Sequence, residues 1–128
     1  VMNTNKLEKL VTLSRELIHK PSGPNKHFSF ILFKNEIISI GFNSYTKTHT
    51  KAVQYGYPYG FPHSELDAIL KAPMDVGQMV RCRLVNIRLD KNGVVKLSKP
   101  CHICSNLIAK IGFREVIYST NKGFINLI

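Results

Sequence analysis

Apolar residues recur at steps of three and four in three stretches of the chain, which is the spacing of an amphipathic helix. The first stretch covers residues 4–19 and stops before a proline. The second covers residues 63–71, and a proline follows it as well. The third covers residues 100–111 and begins with proline, which is favoured in a first helical turn, and Gly112 follows as its cap. We therefore predict three helices.

Short apolar runs between these helices predict strands. The runs cover residues 28–33, 37–42, 84–89, 116–119 and 124–127. The first two are separated by a short polar turn, which is typical of a hairpin. Too few residues follow Thr120 for the crossover of about a dozen residues that a parallel pair requires. The last strand is therefore expected to fold back antiparallel after the turn at residues 121–123.

The predicted element order is α-β-β-α-β-α-β-β, which indicates an α/β domain. The chain has 128 residues, enough for one hydrophobic core and too few for two, so we expect a single domain over residues 1–128. Residues 91–98 have the features of a basic hairpin inserted after the third strand.

Residues 43–62 show neither the helical spacing of apolar residues nor the apolar run of a strand, and they are predicted to form a long loop. A loop of this length is uncommon in a small domain unless it has a function. It lacks acidic residues and carries the aromatic and basic residues Tyr45, Lys47, His49, Lys51, Tyr55, Tyr57, Tyr59 and Phe61. Aromatic rings stack on bases and cations meet phosphates, so we interpret the loop as a candidate substrate loop. Alternatively, the loop is a lid whose tyrosines pack on the core. A lid of this kind is compatible with substrate binding.

The formal net charge is +10, from 18 basic and 8 acidic residues. This exceeds the charge that one monophosphate needs and favours a polyanion such as single-stranded nucleic acid. Two further basic pairs, His19-Lys20 and Lys26-His27, flank the loop at residues 21–24. No apolar run approaches the ~18 residues of a membrane span, so no membrane partner is expected. The odd number of cysteines, 3, and one C-x-x-C spacing suggest a reducing, cytoplasmic location.

Two short motifs each open a predicted helix, PHSE at residues 62–65 and PCHIC at residues 100–104. Cys101 and Cys104 are three positions apart and share a helical face, so both sulfurs can reach one zinc ion at about 2.3 Å. His63 supplies a third ligand. Three protein ligands leave a fourth position for water, which is typical of a catalytic zinc rather than a structural one.

Glu65 is the remaining functional group of the first motif. It lies two positions after His63, so the two side chains can converge only near the end of the helix. The positive ends of both helices would then point at the ion and favour thiolates. Zinc lowers the pKa of bound water to about 7, and Glu65 can carry the proton of that water to a leaving amine. This is the chemistry of hydrolytic deamination.

The combination of H-x-E with P-C-x-x-C resembles the signature of the zinc-dependent cytidine and deoxycytidylate deaminase superfamily. The resemblance covers nearly the whole chain. It implies a three-layer α-β-α fold with a mixed sheet of about five strands. It also implies one catalytic Zn²⁺ held by His63, Cys101 and Cys104, with Glu65 as the proton shuttle. The implied reaction converts a cytosine base to uracil in a nucleotide or a single-stranded nucleic acid.

The same resemblance implies the substrate contacts. Asn43 stands where an asparagine commonly holds the sugar, while the amide of Ser64 and the carbonyl of Lys99 fall where the backbone meets the base. Tyr118 is a further expected substrate contact, and a homo-oligomer is an expected assembly. Deamination of adenosine in tRNA is one alternative function, since that family shares the motif. A catalytically inactive, zinc-stabilised nucleic-acid-binding module is another.

Overall fold

A computed structural model describes residues 2–128 and contains a six-stranded mixed sheet. Its strands are β1 (Lys26–Phe33), β2 (Glu36–Phe42), β3 (Arg83–Leu89), β4 (Val95–Lys96), β5 (Glu115–Thr120) and β6 (Gly123–Asn126). The order along the sheet is β2-β1-β3-β5-β6, and β4 pairs with β3. β3 and β5 are parallel, while β6 is antiparallel to β5, as predicted for the last strand. The strand beyond the predicted number is β4, which closes the inserted hairpin and is too short to show a pattern.

The helices are α1 (Thr4–Glu16), α2 (Thr50–Gln54), α3 (Ser64–Lys71) and α4 (His102–Ile111), with 3₁₀ turns at Pro58–Gly60 and Val76–Arg81. α1 ends earlier than predicted, and Gly112 caps α4 as predicted, with a φ of 75° in the left-handed region. The prediction of an unbroken loop over residues 43–62 is wrong, because α2 lies within it. Over residues 2–128, every helix falls short of the length and apolar character that crossing a bilayer requires.

The sheet has helices on both faces, which confirms the three-layer α-β-α arrangement. Side chains alternate along β1, so Phe28 and Phe30 face the core that contains Leu10 of α1. Ile31 faces the opposite core, which contains Leu66 of α3 together with residues of α4. The functional motifs are on α3 and α4, so the site belongs to the second of these two layers.

α3 packs unusually close to β2, at Gly41. A Cβ atom at this position would overlap the carbonyl oxygen of Ser64 and the backbone nitrogen of Ala68. Two polar contacts fix the helix there: Asp67 Oδ2 accepts the N–H of Phe42 at 2.8 Å, and the hydroxyl of Ser39 donates to the carbonyl of Ala68 at 2.7 Å. The start of α3 is thereby held against the sheet, next to the residues that form the site.

Candidate metal centre and active site

The three predicted metal ligands lie together, at the starts of α3 and α4. His63 precedes α3 as its N-cap, and Cys101 precedes α4 in the same way. His63 Nδ1 lies 3.5 Å from Cys101 Sγ and 3.7 Å from Cys104 Sγ. A tetrahedral zinc with Zn–N of about 2.0–2.1 Å and Zn–S of about 2.3 Å separates its nitrogen and sulfur ligands by about 3.6 Å. The chemistry and the spacing of this His/Cys/Cys group therefore fit a zinc ion.

The two thiols titrate as a pair. A hydrogen bond from the thiol of Cys104 lowers the pKa of Cys101 to about 5, and the backbone N–H of Cys104 adds to this effect. The same contact and its own burial raise the pKa of Cys104. The lowered pKa of Cys101 favours its thiolate, which is the form that binds a metal.

Tyr57 contacts two of the three ligands, and the sequence motifs did not point to it. Its hydroxyl oxygen lies 2.6 Å from Cys104 Sγ. Its ring meets the His63 ring edge-on, with the ring centroids 4.6 Å apart. Burial and the neighbouring Cys104 raise the pKa of the Tyr57 hydroxyl, which keeps it protonated as a hydrogen-bond donor. Tyr57 belongs to the predicted substrate loop, so it anchors that loop to the ligand group.

Glu65 is buried beside the ligands, with 6% of its surface exposed. Its Oε2 accepts a hydrogen bond from Asn86 Nδ2 at 2.9 Å, and its Oε1 accepts one from Ser64 Oγ at 3.2 Å. Burial raises the pKa of the Glu65 carboxyl, while its own backbone N–H, His63 and Asn86 oppose this rise. A raised pKa moves a carboxyl toward the range in which a general acid–base catalyst works.

Asn86 is a second residue that the motifs did not reveal. It lies on β3 directly opposite Ser29 of β1, and both residues are buried. Ser29 Oγ donates to Asn86 Oδ1 at 2.7 Å and also lies 2.8 Å from Ser64 Oγ. The amide oxygen of Asn86 is thus occupied by Ser29, and its NH₂ group points to Glu65. In the sequence, the available signal was a lone asparagine within the apolar run RLVNIRL.

A cavity of about 480 Å³ opens next to the ligand group, and His63, Glu65 and Cys101 are part of its lining. The predicted substrate loop lines it with Tyr45, Tyr59 and Phe61. This volume is typical of pockets that bind a small molecule. A small molecule in the cavity can therefore touch the Glu65 carboxylate and two of the predicted metal ligands, His63 and Cys101, at once.

The predicted substrate contacts take different places. Asn43 and Lys99 line the cavity. Asn43 Oδ1 accepts the backbone N–H of His27 at 2.9 Å, which fixes its amide. Ser64 is buried in the network around Glu65. Tyr118 is buried on β5, beside Asn86 in the register, and is not among the lining residues of the cavity within residues 2–128. Their roles in substrate binding stay predictions.

His27 differs from its expected place in a basic loop. It lies on β1 and lines the cavity. Burial, followed by the charges of Arg88 and His63, lowers the pKa of His27 to about 4. Its imidazole is therefore neutral at physiological pH, so it offers hydrogen bonds and a ring face to a ligand instead of positive charge.

Solved structures with a similar fold include two deaminases and the protein RibD. A dCMP deaminase from the cyanophage S-TIM5, in complex with dCMP and dUMP, matches at 17% identity with a TM-score of 0.61, covering 92% of this chain and 83% of that chain. A cytidine deaminase from Mycobacterium tuberculosis matches at 13% identity with a TM-score of 0.58, over 94% and 90% of the two chains. RibD from Acinetobacter baumannii matches at 18% identity with a TM-score of 0.56, over 92% of this chain and 29% of RibD.

No protein-family model and no curated protein matches the sequence. The structural matches extend over nearly the whole chain, while the identities of 13% to 18% mean that they establish the fold alone. The sheet order, the two helices that carry the motifs and the His/Cys/Cys group agree with that fold. The protein therefore has a cytidine deaminase-like fold, and at the starts of α3 and α4 it carries a His/Cys/Cys group that could hold a metal ion.

Proposed function

We propose that this protein is a zinc-dependent hydrolytic deaminase that converts a cytosine base to uracil in a nucleotide or a single-stranded nucleic acid. The observation that carries the proposal is the buried carboxylate of Glu65, which lines the same cavity as the ligands His63 and Cys101. A purely structural metal site has no need of a buried carboxylate and an adjoining cavity. The cyanophage deaminase of similar fold, with its dCMP and dUMP, supports a cytosine base.

His63, Cys101 and Cys104 would hold the zinc ion. When bound, zinc supplies a Lewis acid that activates water for attack on the amine-bearing carbon. Glu65 takes one proton of the attacking water and delivers it to the ring nitrogen. It then takes the second proton, from the hydroxyl that has added to the carbon, and delivers it to the amine, which leaves as ammonia. Asn86 and Ser64 orient the two oxygens of that carboxylate through their hydrogen bonds. The cavity walls exclude bulk water while the base is bound.

The proposal includes a cytoplasmic location, where a reducing environment keeps the thiols of Cys101 and Cys104 free for metal. Self-association stays a prediction, which light scattering of the zinc-loaded protein can test. Nucleotide or single-stranded nucleic acid is the proposed partner.

A substrate panel tests the proposed function. Zinc-loaded protein is incubated with cytidine, dCMP, a single-stranded oligonucleotide with one cytosine, and matching adenine substrates, and ammonia release is measured. We expect ammonia from at least one cytosine substrate, with the corresponding uracil-containing nucleoside, nucleotide or strand as the product. Ammonia from adenine substrates alone would favour the adenosine alternative. Salt-sensitive nucleic-acid binding without any ammonia would favour the inactive binding module.

Asn86 gives a test of how the carboxylate is held. We expect Asn86→Ala to lower kcat by about 10- to 100-fold, because a buried hydrogen bond to a charged group is worth about 1.5–3 kcal/mol. The zinc content should stay at the wild-type level and KM should change little, since Asn86 contacts neither the ligands nor the cavity. Steady-state kinetics and metal analysis measure these quantities.

Ser39→Ala is the matched control for Asn86→Ala. Ser39 is buried and also bonds to α3, through the carbonyl of Ala68, but it does not contact Glu65. The control should therefore lose stability with little change in kcat. A folded, zinc-loaded Asn86→Ala protein with wild-type kcat would show that Asn86 does not position the carboxylate.

A further inference from the structure

One tyrosine at the cavity has an unusual backbone conformation and is almost fully exposed. Tyr59 lies in the 3₁₀ turn Pro58–Gly60 with φ 57° and ψ 11°, the left-handed region that bulky residues rarely adopt. Its surface is 89% exposed, so its ring contributes little to the core. Folding alone does not explain why an aromatic residue is held at this place. Strained residues of this kind concentrate at functional sites.

Two further aromatic residues line the same cavity. The ring centroids of Tyr59 and Phe61 are 6.3 Å apart, with an angle of 42° between the ring planes. Tyr45 is 50% exposed and lines the cavity from the start of the same loop. We call Tyr45, Tyr59 and Phe61 the aromatic rim. An exposed aromatic surface next to a ligand cavity suits the flat face of a base.

The charges around the rim suit a chain of phosphates more than one enclosed phosphate. No acidic residue occurs between Ile37 and Ser64, and Lys47 and Lys51 are exposed in this stretch. Lys99 is also exposed and lines the cavity. Two histidines line it as well: His63 belongs to the predicted ligand group, and the imidazole of His27 is neutral. Among the lining residues that the structure describes, no lysine or arginine is buried to enclose a phosphate monoester.

We propose that the aromatic rim binds a base adjacent to the target nucleotide, so that the substrate is a single-stranded nucleic acid. This inference rests on the proposed deaminase function. The target base enters the cavity, the neighbouring base stacks on Tyr59, and the backbone phosphates pass the exposed lysines. Stacking on an aromatic side chain tolerates every base, because every base has a flat face.

The test compares two substrates in the zinc-loaded protein, a short oligonucleotide with one cytosine and dCMP. We expect Tyr59→Ala to lower kcat/KM on the oligonucleotide by about 5- to 100-fold, the range for loss of one stacked base. On dCMP the loss should be at least several-fold smaller than on the oligonucleotide, since dCMP has no neighbouring base. Tyr59→Phe keeps the ring and should behave as wild type on both substrates.

Tyr55→Ala is the matched control, because Tyr55 is 41% exposed in the same stretch but does not line the cavity. It should leave both kcat/KM values unchanged. Equal losses on the two substrates for Tyr59→Ala would overturn the proposal, as would a wild-type protein that deaminates dCMP and neither binds nor deaminates the oligonucleotide. That last result would leave the deaminase function intact.

Fluorescence anisotropy with a labelled oligonucleotide separates the two proposals. If no substrate is deaminated but Tyr59→Ala weakens strand binding and Tyr55→Ala does not, the deaminase function fails while the base-binding rim is supported. If wild-type protein binds the oligonucleotide and Tyr59→Ala binds it equally well, the rim is overturned whatever the activity.

Discussion

Replacing Glu65 with glutamine is expected to lower kcat by about 10²- to 10⁴-fold, the contribution typical of a general acid–base catalyst. Glutamine has nearly the same shape and can still accept the hydrogen bond from Asn86, but it cannot carry a proton. The variant should therefore fold and keep its zinc. Ammonia release measures the turnover, and metal analysis of the same sample measures the zinc content.

Asp67→Asn is the control for this substitution. Asp67 lies on the same helix, two positions further on, and its carboxylate accepts the N–H of Phe42 and pairs with Lys71. It is not among the described residues that line the cavity, so its neutral analogue should keep wild-type turnover. If zinc-loaded Glu65→Gln retained more than about a tenth of wild-type kcat, Glu65 could not be the proton carrier.

Removing zinc is expected to lower the Tm by about 5–15 °C, which corresponds to a few kcal/mol in a domain of this size. The ligands lie on different segments, His63 before α3 and the two cysteines at the start of α4, so the ion links two helices. The binding free energy of the metal then adds to the free energy of unfolding. Thermal melts before chelation, after chelation and after zinc is restored measure the effect.

The cysteines provide the comparison. Cys101→Ser removes a ligand, so its Tm should be low and should no longer respond to chelation. Cys82 is also buried near α4 but is not part of the ligand group, and Cys82→Ala should keep the zinc-dependent shift. Identical melting curves for zinc-loaded and demonstrably zinc-free protein would show that the core holds α3 and α4 in place without the ion.

The proximity of Cys101 and Cys104 could be predicted because the geometry of this pair is local. Cys101 and Cys104 are one helical turn apart, so their spacing alone places both sulfurs on one face. The helices and the hydrophobic strands were likewise visible in the periodicity. α2 was not visible in the periodicity, because its five residues are too few to repeat an apolar face.

The residues that hold Glu65 depend on long-range pairing that no local pattern reveals. Ser29 meets Asn86 because β1 pairs with β3 in one particular register. The two residues are 57 positions apart in the sequence, so no local pattern links them. Tyr57 reaches Cys104 from a loop whose path depends on α2. The pKa of His27 depends on the fold in a related way: residue type gives the ordinary pKa, whereas burial, a tertiary property, lowers it to about 4.

Gly41 has a consequence for the metal centre that lies outside the chemistry of any ligand. Because α3 rests on the backbone of β2 at this residue, the missing side chain sets the height of the helix above the sheet. His63 and Glu65 are carried by the first turn of that helix, while the two sulfurs are carried separately by α4. Any side chain at position 41 would lift one half of the ligand set relative to the other. The separation between His63 and the two sulfurs thus depends on a residue that has no functional group and lies outside the His/Cys/Cys group.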